Sequence, residues 1–268
     1  MNKTNSITKE NEGLSKITFE EFKTIYKGYY KEVVKILRDN DFPFSAACGT
    51  MLGAVREKDM IEWDFDIDNF FFIEDIDKLL SIEKLLPDHY FMETYLDGKL
   101  RYGLVRIFCK NLYRHDRESS NYVNAFIDFF AVRNIQIDEE QRKRLYTKVL
   151  KDEQKVAYKY CEYKSKNFVK GWLKKLYQLS LPSFKRFTKK IEKKEKSFKE
   201  GSTCVMCRNF RLVSTLPIDK NDIVYVNFSG YDIPCYRNYE EVLTCLFGTN
   251  WRTPVVFEGR TIPEFYIK

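Results

Sequence analysis

The sequence predicts an α/β fold, with an α/β core in the first half and a mostly helical second half that ends in a β-hairpin and one further helix. Three observations carry this. A capped amphipathic helix opens the patterned part of the chain. Short apolar runs bearing isolated acids follow it, and a long charged helix then leads into two basic amphipathic stretches. With 268 residues, 44% of them hydrophobic, the chain can bury one large core, or one core plus an appended subdomain.

Residues 1–16 form a polar lead. Thr18 and Glu21 then have the spacing of a capping box, with Ile17 and Phe22 placed as a hydrophobic staple. Phe22, Ile25, Tyr26, Tyr29, Val33, Ile36 and Leu37 recur at steps of three and four, which predicts one apolar helix face ending before Pro43. Residues 44–48 are short, apolar and uncharged, as in a buried strand; Gly49 and Thr50 follow as a turn, and residues 51–56 can form a helical turn. Residues 65–73 read as a strand. Alternation would put Asp66 and Asp68 on one face and Phe65 and Ile67 on the other. A helix over 75–86 ended by Pro87, a strand over 103–110 and a strand over 124–132 carrying Asp128 complete a core at residues 17–135.

In the remaining segment, 136–268, Asp138 is placed to cap a charged helix reaching about residue 164, with Gln141 closing the box. Pro182 divides two basic amphipathic helices at 165–180 and 183–198. A hairpin turns at Ser229 and Gly230, and Asn238 precedes a last helix stopped by Gly248. This second segment is expected to pack on the core.

No run of about 18 apolar residues occurs and the first residues lack an apolar leader, so the expectation is a cytoplasmic protein. The seven cysteines, an odd number in mostly apolar surroundings, fit a reducing compartment. Cys204 and Cys207 form the one close pair; with no second pair to complete a zinc site, they read as core residues of an apolar strand. His89 and His115 lie apart from the acids. The net charge of +7 is uneven, because residues 164–199 alone carry +11, leaving the rest slightly acidic. Such a surface fits an anionic partner.

Acids in strands made of Phe, Ile and Val need partners, since burying a carboxylate unpaired costs several kcal/mol. A hard cation is the economical partner: Asp66, Asp68 and Asp128 are candidate metal ligands and catalytic residues, and carboxylate oxygens suit Mg²⁺ or Mn²⁺. Gly49 and Thr50, at a turn into a helix, can let a phosphate approach, with Arg56 and Lys58 adding charge. Arg106 lies on the 103–110 strand, where it can pair with the acids, hold a donor phosphate or occupy an edge. Asp64 can either orient its loop or touch metal.

The run Gly49-Thr50-Met51-Leu52-Gly53-Ala54-Val55-Arg56, followed by Ile61, Trp63, Asp64, Asp66, Ile67 and Asp68, resembles the signature of the LicD family, which includes phosphocholine transferases and the fukutin-related proteins. Phe126-Ile127-Asp128-Phe129-Phe130 is similar to the family's third-acid strand, and Phe228-Ser229-Gly230 through Tyr239, Leu243 and Phe247-Gly248 extends the likeness toward the end. The departures are Phe65 where an acid is usual, Glu62 for Pro, Asp59 for Gly and Cys48 for a frequent Gly.

The resemblance implies a nucleotidyltransferase-like core, a mixed sheet with flanking helices. It also implies transfer of phosphocholine or a similar phospho-substituent from a CDP-activated donor onto a glycan such as lipopolysaccharide, teichoic acid or capsule. By the same match Asp66 and Asp68 become metal ligands and Asp128 the third carboxylate. Nucleotidyl transfer to a small molecule, and a non-catalytic basic module binding lipid or nucleic acid, are the alternatives; nucleic acid is not the expected partner. The basic stretch 164–199 is expected to meet an anionic membrane at the inner face, where a lipid-linked acceptor would be presented, with Trp172, Leu173, Phe184 and Phe187 as insertions. The competing expectation is that these faces pack on the core.

Overall fold

The computed structural model describes residues 13–116, 121–160, 168–255 and 262–268. In chain order the elements are β1 (Ser15–Ile17), α1 (Phe19–Asp39), β2 (Ser45–Ala46), α2 (Cys48–Arg56), β3 (Ile67–Phe72), α3 (Ile76–Ile82), β4 (Tyr90–Thr94), β5 (Leu104–Asp116), β6 (Asn121–Ile135), α4 (Glu139–Tyr160), α5 (Phe168–Ser180), α6 (Phe184–Glu195), β7 (Thr203–Met206), β8 (Leu212–Ser214), β9 (Ile223–Phe228), β10 (Tyr231–Tyr236), α7 (Tyr239–Phe247) and β11 (Glu264–Ile267). It is an α/β protein with a mixed sheet and flanking helices.

Nine strands form one sheet, ordered β1-β11-β5-β6-β3-β2, with β4 on β5 and the β7–β8 pair on the end of β6. The pairing β3·β6 is parallel and the others are antiparallel. β6, buried almost throughout its middle, is the organising strand: β5 lies along its first part, β3 along its second, and β7 takes over where β5 ends. The handover is at Ala131, whose N–H donates to Gly103 O at 2.7 Å and whose carbonyl accepts from Cys207 N at 2.9 Å. A strand residue's N–H and C=O point to the same side, so Gly103 and Cys207 share one edge of β6. Gly103 has φ of +71°, and a Cβ there would lie 3.1 Å from the Ala131 Cβ and 3.2 Å from the Cys207 Cβ. Only glycine fits the crossing without strain. Cys204 and Cys207 are fully buried core residues, as their setting predicted.

α1 begins as expected. The Thr18 hydroxyl accepts from Glu21 N at 3.2 Å and the Glu21 carboxylate accepts from Thr18 N at 2.8 Å. Its buried side, Phe22, Tyr26, Tyr30, Val33, Val34 and Leu37, covers one sheet face; the Tyr30 hydroxyl donates to Asn69 Oδ1 at 2.6 Å. Asn69 alternates with Asp68, so α1 lies across the face opposite the acids.

Four local expectations are corrected. The strand expected from residue 65 starts at Ile67, leaving Phe65 and Asp66 in the approach to it. The helix expected from 51 starts at Cys48, and Cys48 takes φ of +45°, the left-handed region that explains the family's preference for glycine there. The strands expected over 103–110 and 124–132 run on into the charged segment 113–122: β5 and β6 pair out to Asp116 and Asn121, because the alternation continues beyond the apolar stretch. Residues 117–120 of that segment lie outside the described residues. Finally, the apolar stripe of α6 packs inward, so Phe187 and Ile191 are buried and Phe184 is partly so. Glu195 secures α6, accepting from Arg133 at 2.8 Å and from the Tyr102 hydroxyl at 2.8 Å.

Candidate functional site

Register builds the site. Asp68 pairs with Asp128 across the parallel β3·β6 ladder, Asp128 pairs with Arg106 on β5, and Arg106 with Glu93 on β4. Directly paired residues share a face, so Glu93, Arg106, Asp128 and Asp68 form one charged row across four strands. The neighbouring row on that face is aromatic: Phe91 stacks on Phe108 at 4.6 Å, and Phe108 meets Phe126 edge-on at 5.6 Å. On the other side lies Leu104, Phe130 and Phe70. Flanked by apolar rows, the carboxylates are poorly solvated.

Arg106 clamps Asp128 with two donors, Nε to Oδ1 at 2.6 Å and Nη2 to Oδ2 at 3.1 Å. Its guanidinium also stacks 3.7 Å from the Phe126 ring centroid. Burial nevertheless raises the Asp128 acid above the ordinary carboxylate range, against the opposing pull of Arg106. Desolvation outweighs the pair. Asp68 is pushed up further, by burial first and then by the charges of Asp66, Asp128 and Asp64. Its backbone is fixed at both ends: Asp68 N donates to the Thr50 hydroxyl at 2.9 Å, and Asp68 O accepts from Ala47 N at 2.9 Å.

Asp64 is buried against the first turn of α2, and a Cβ on Gly49 would come 2.3 Å from its carboxylate oxygen. A negative charge at this helix start is favoured by the unpaired N–H groups there. Gly49 and Thr50 thus serve the acids directly, one by making room for Asp64 and the other by holding the Asp68 backbone. Arg56 and Lys58 stand at the other end of α2. Arg56 binds Glu57 and donates to Trp251 O at 3.0 Å, while Lys58 Nζ donates to Val55 O at 3.1 Å, so the structure does not bring them to the carboxylates. The Lys58 carbonyl accepts from Ser229 N at 2.7 Å, tying the β9–β10 turn to the α2 loop.

Residues 42–185, just over half of the chain, match the family model described as the LicD/FKTN/FKRP nucleotidyltransferase domain. The chain belongs to the LicD family. Among curated proteins, none matches it. Membership makes this LicD protein a transferase acting at the level of phospho-substituents of glycans. Among the described residues no helix is long and apolar enough to cross a membrane.

Of the LicD departures, Asp59 has acquired a partner, pairing with Lys27 at 2.8 Å. Phe65 does not turn away from the site: the Arg114 guanidinium lies 5.9 Å from its ring and 4.2 Å from that of Phe126, which shares the acid face. Arg114 was not singled out in the sequence, and neither was Arg208. Arg208 stacks 5.3 Å from Phe130, adjacent to Asp128 on its strand face, and its charge acts on both Asp68 and Asp128. Its Nε is buried with no hydrogen-bond partner among the described residues. Arg114, next to Tyr113 in a charged segment, had no signal of its own, and neither had Arg208, because only the β7 pairing carries it to the site.

The fit to a divalent cation can be tested on these residues. Among the described residues no group of three His, Cys, Asp or Glu is arranged to hold a metal. Asp128 has both its oxygens held by Arg106. Asp66 and Asp68 remain, half-buried, mutually repelling and without ion-pair or hydrogen-bond partners for their carboxylates among the described residues. Two carboxylates completed by water and substrate phosphate are an ordinary Mg²⁺ set. The residues fit a two-carboxylate site.

Proposed function

We propose that this LicD protein transfers phosphocholine, or a similar phospho-substituent, from a CDP-activated donor to a glycan hydroxyl with the help of Mg²⁺ or Mn²⁺. The observation that supports the reading is the pair Asp66 and Asp68, whose carboxylates have no ion-pair or hydrogen-bond partner among the described residues, set beside an Asp128 whose charge is already matched by Arg106. Asp66 and Asp68 would hold the cation, which when bound neutralises the donor phosphates.

The chain's own residues divide the remaining work. Arg208 and Arg114 flank the acid row on opposite sides and supply positive charge that orients an anionic donor. The acceptor oxygen attacks the donor phosphorus, the bond to the leaving CMP oxygen breaks with its electron pair, and the acceptor proton passes to Asp128. Burial suits Asp128 to that role, because a carboxylate whose pKa is raised is a stronger base. Arg106 positions Asp128 and limits the cost of its charge. The aromatic row Phe91, Phe108 and Phe126 keeps water from one side of the reacting groups.

A panel of CDP-activated donors with Mn²⁺ and a soluble glycan acceptor tests this by CMP release and product mass. CMP with a phospho-substituted glycan is expected. A product retaining the nucleoside would instead make the reaction nucleotidyl transfer, and no release with any donor would remove the reading.

A further inference from the structure

α5 is mounted inside out. Its polar edge faces the protein: the Lys174 ammonium lies 4.7 Å from the Tyr158 ring centroid on α4, and Gln178 Nε2 donates to Tyr158 O at 2.9 Å. Lys159 of α4 reaches the carbonyls of Leu179 and Leu181 at the far end of the helix. Tyr177 also sets its ring edge-on to that of Tyr158, with centroids 5.9 Å apart, and among the described residues the rest of the apolar side has no such cover. Trp172, Leu173, Leu176 and Leu179 are between 45% and 68% exposed. At 3.6 residues per turn they occupy one arc of about 120°. A contiguous exposed apolar face of this kind marks an interaction surface. The neighbouring helix α6, equally amphipathic in sequence, buries its stripe and presents Lys185, Arg186, Lys189 and Lys193 to solvent.

Charge selects the occupant. Residues 164–199 carry a balance of +11, so a second copy of the chain would bring two strongly positive surfaces together. Nucleic acid would match the lysines but offers nothing to Leu173, Leu176 and Leu179. An anionic bilayer takes both features at once, with headgroups meeting the lysines and the interface accepting Trp and Leu.

We infer that the outward face of α5, Trp172, Leu173, Leu176 and Leu179, docks the protein peripherally on an anionic lipid surface, while α6 contributes charge but no insertion. α4 links this face to the acid row: its Glu153 pairs with Arg101 and acts electrostatically on Arg208, and Tyr158, five residues later, is what α5 packs against. The docked enzyme would therefore present its donor side near the bilayer. That last link, to a lipid-borne acceptor, rests on the proposed glycan transfer; the docking itself does not.

The test is co-sedimentation of the full chain with phosphatidylglycerol vesicles and, separately, phosphatidylcholine vesicles, at low and high salt. On the order of tenfold more protein should sediment with the anionic vesicles at low salt, and the excess should fade at high salt. Leu173→Glu combined with Leu176→Glu should abolish it, with an unchanged far-UV spectrum and unchanged CMP release on a soluble acceptor, while Phe187 stays buried throughout. Equal sedimentation with both vesicle types overturns the proposal, as does full binding by the double variant. A concentration-dependent dimer that the double variant loses would also overturn it, making the face a self-contact. Loss of CMP release in the wild type would count only against the proposed reaction.

Discussion

Replacing Arg106 with Met removes the partner of Asp128 while keeping an unbranched stem against Phe126, and its cost follows from the burial of the pair. The Asp128 side chain is 9% exposed and that of Arg106 24%. Removing one member of a buried pair costs about 3–5 kcal/mol, because the other charge is left without compensation. Arg106 retains some water, so the lower end, about 3 kcal/mol, applies, which is roughly 6–12 °C of Tm in a chain of this size. Asp128→Asn should cost less, about 1 kcal/mol, since a neutral amide has little to lose in desolvation. The two together should cost about 2 kcal/mol less than the sum of the single changes. The sign with pH follows from the same geometry. In Arg106→Met the folded Asp128 acid rises further above its unfolded value, so its protonated form supports the fold at low pH and that support is lost as pH rises through the folded value. The deficit should thus be small in acid and largest near neutrality. Thermal and denaturant unfolding of the four proteins across pH measures this; single changes that simply add, or a deficit independent of pH, would refute the ion-pair account.

If the proposed metal site is right, Mn²⁺ should raise the wild-type Tm, and Asp66→Asn and Asp68→Asn should each abolish that rise and lower turnover about a thousandfold with the fold intact. Without metal, wild-type stability should fall as pH rises above the ordinary carboxylate range, because the raised Asp68 acid favours the fold only while protonated; Asp68→Asn should flatten that decline in a pH series of melts. Gly103→Ala should destabilise by about 2 kcal/mol or more, combining left-handed strain with contact on Ala131 and Cys207, and denaturant titration reads it. Arg208→Lys keeps the charge and loses the buried Nε, so the donor KM should rise about tenfold with kcat nearly unchanged, seen in initial-rate kinetics.

Local signals were legible wherever one segment contains both halves of the interaction. The Thr18–Glu21 box, the Asp138 cap and the Ser229-Gly230 turn are such cases; Asp138 Oδ1 accepts from Gln141 N at 2.8 Å, and Ser229 and Gly230 take φ of +55° and +85°. The strands β1 and β11 were not legible. Three and four residues long, they pair with each other and β11 with β5, so their strand character comes from partners some 250 and 150 positions away. β4 was hidden for a related reason, lying in a mixed segment whose alternation is short, and it becomes a strand by pairing along β5.

The acids were legible as types and only partly as a site. Asp66, Asp68 and Asp128 could be chosen because each is a charge in an apolar run, and the charge must be answered. What answers it was not written locally. Asp128 is answered by Arg106, which required knowing that β5 pairs with β6 in the register that sets 106 against 128 and not 107 or 105. A slip of one residue would turn Arg106 to the α1 face and put Val105 or Ile107 beside the carboxylate. Arg208 enters through a second register, β7 on β6, begun by a glycine more than a hundred residues earlier that clears its path. Asp66 and Asp68 have no such answer among the described side chains, and that difference, visible only after pairing, is what the proposed division of roles between them and Asp128 rests on.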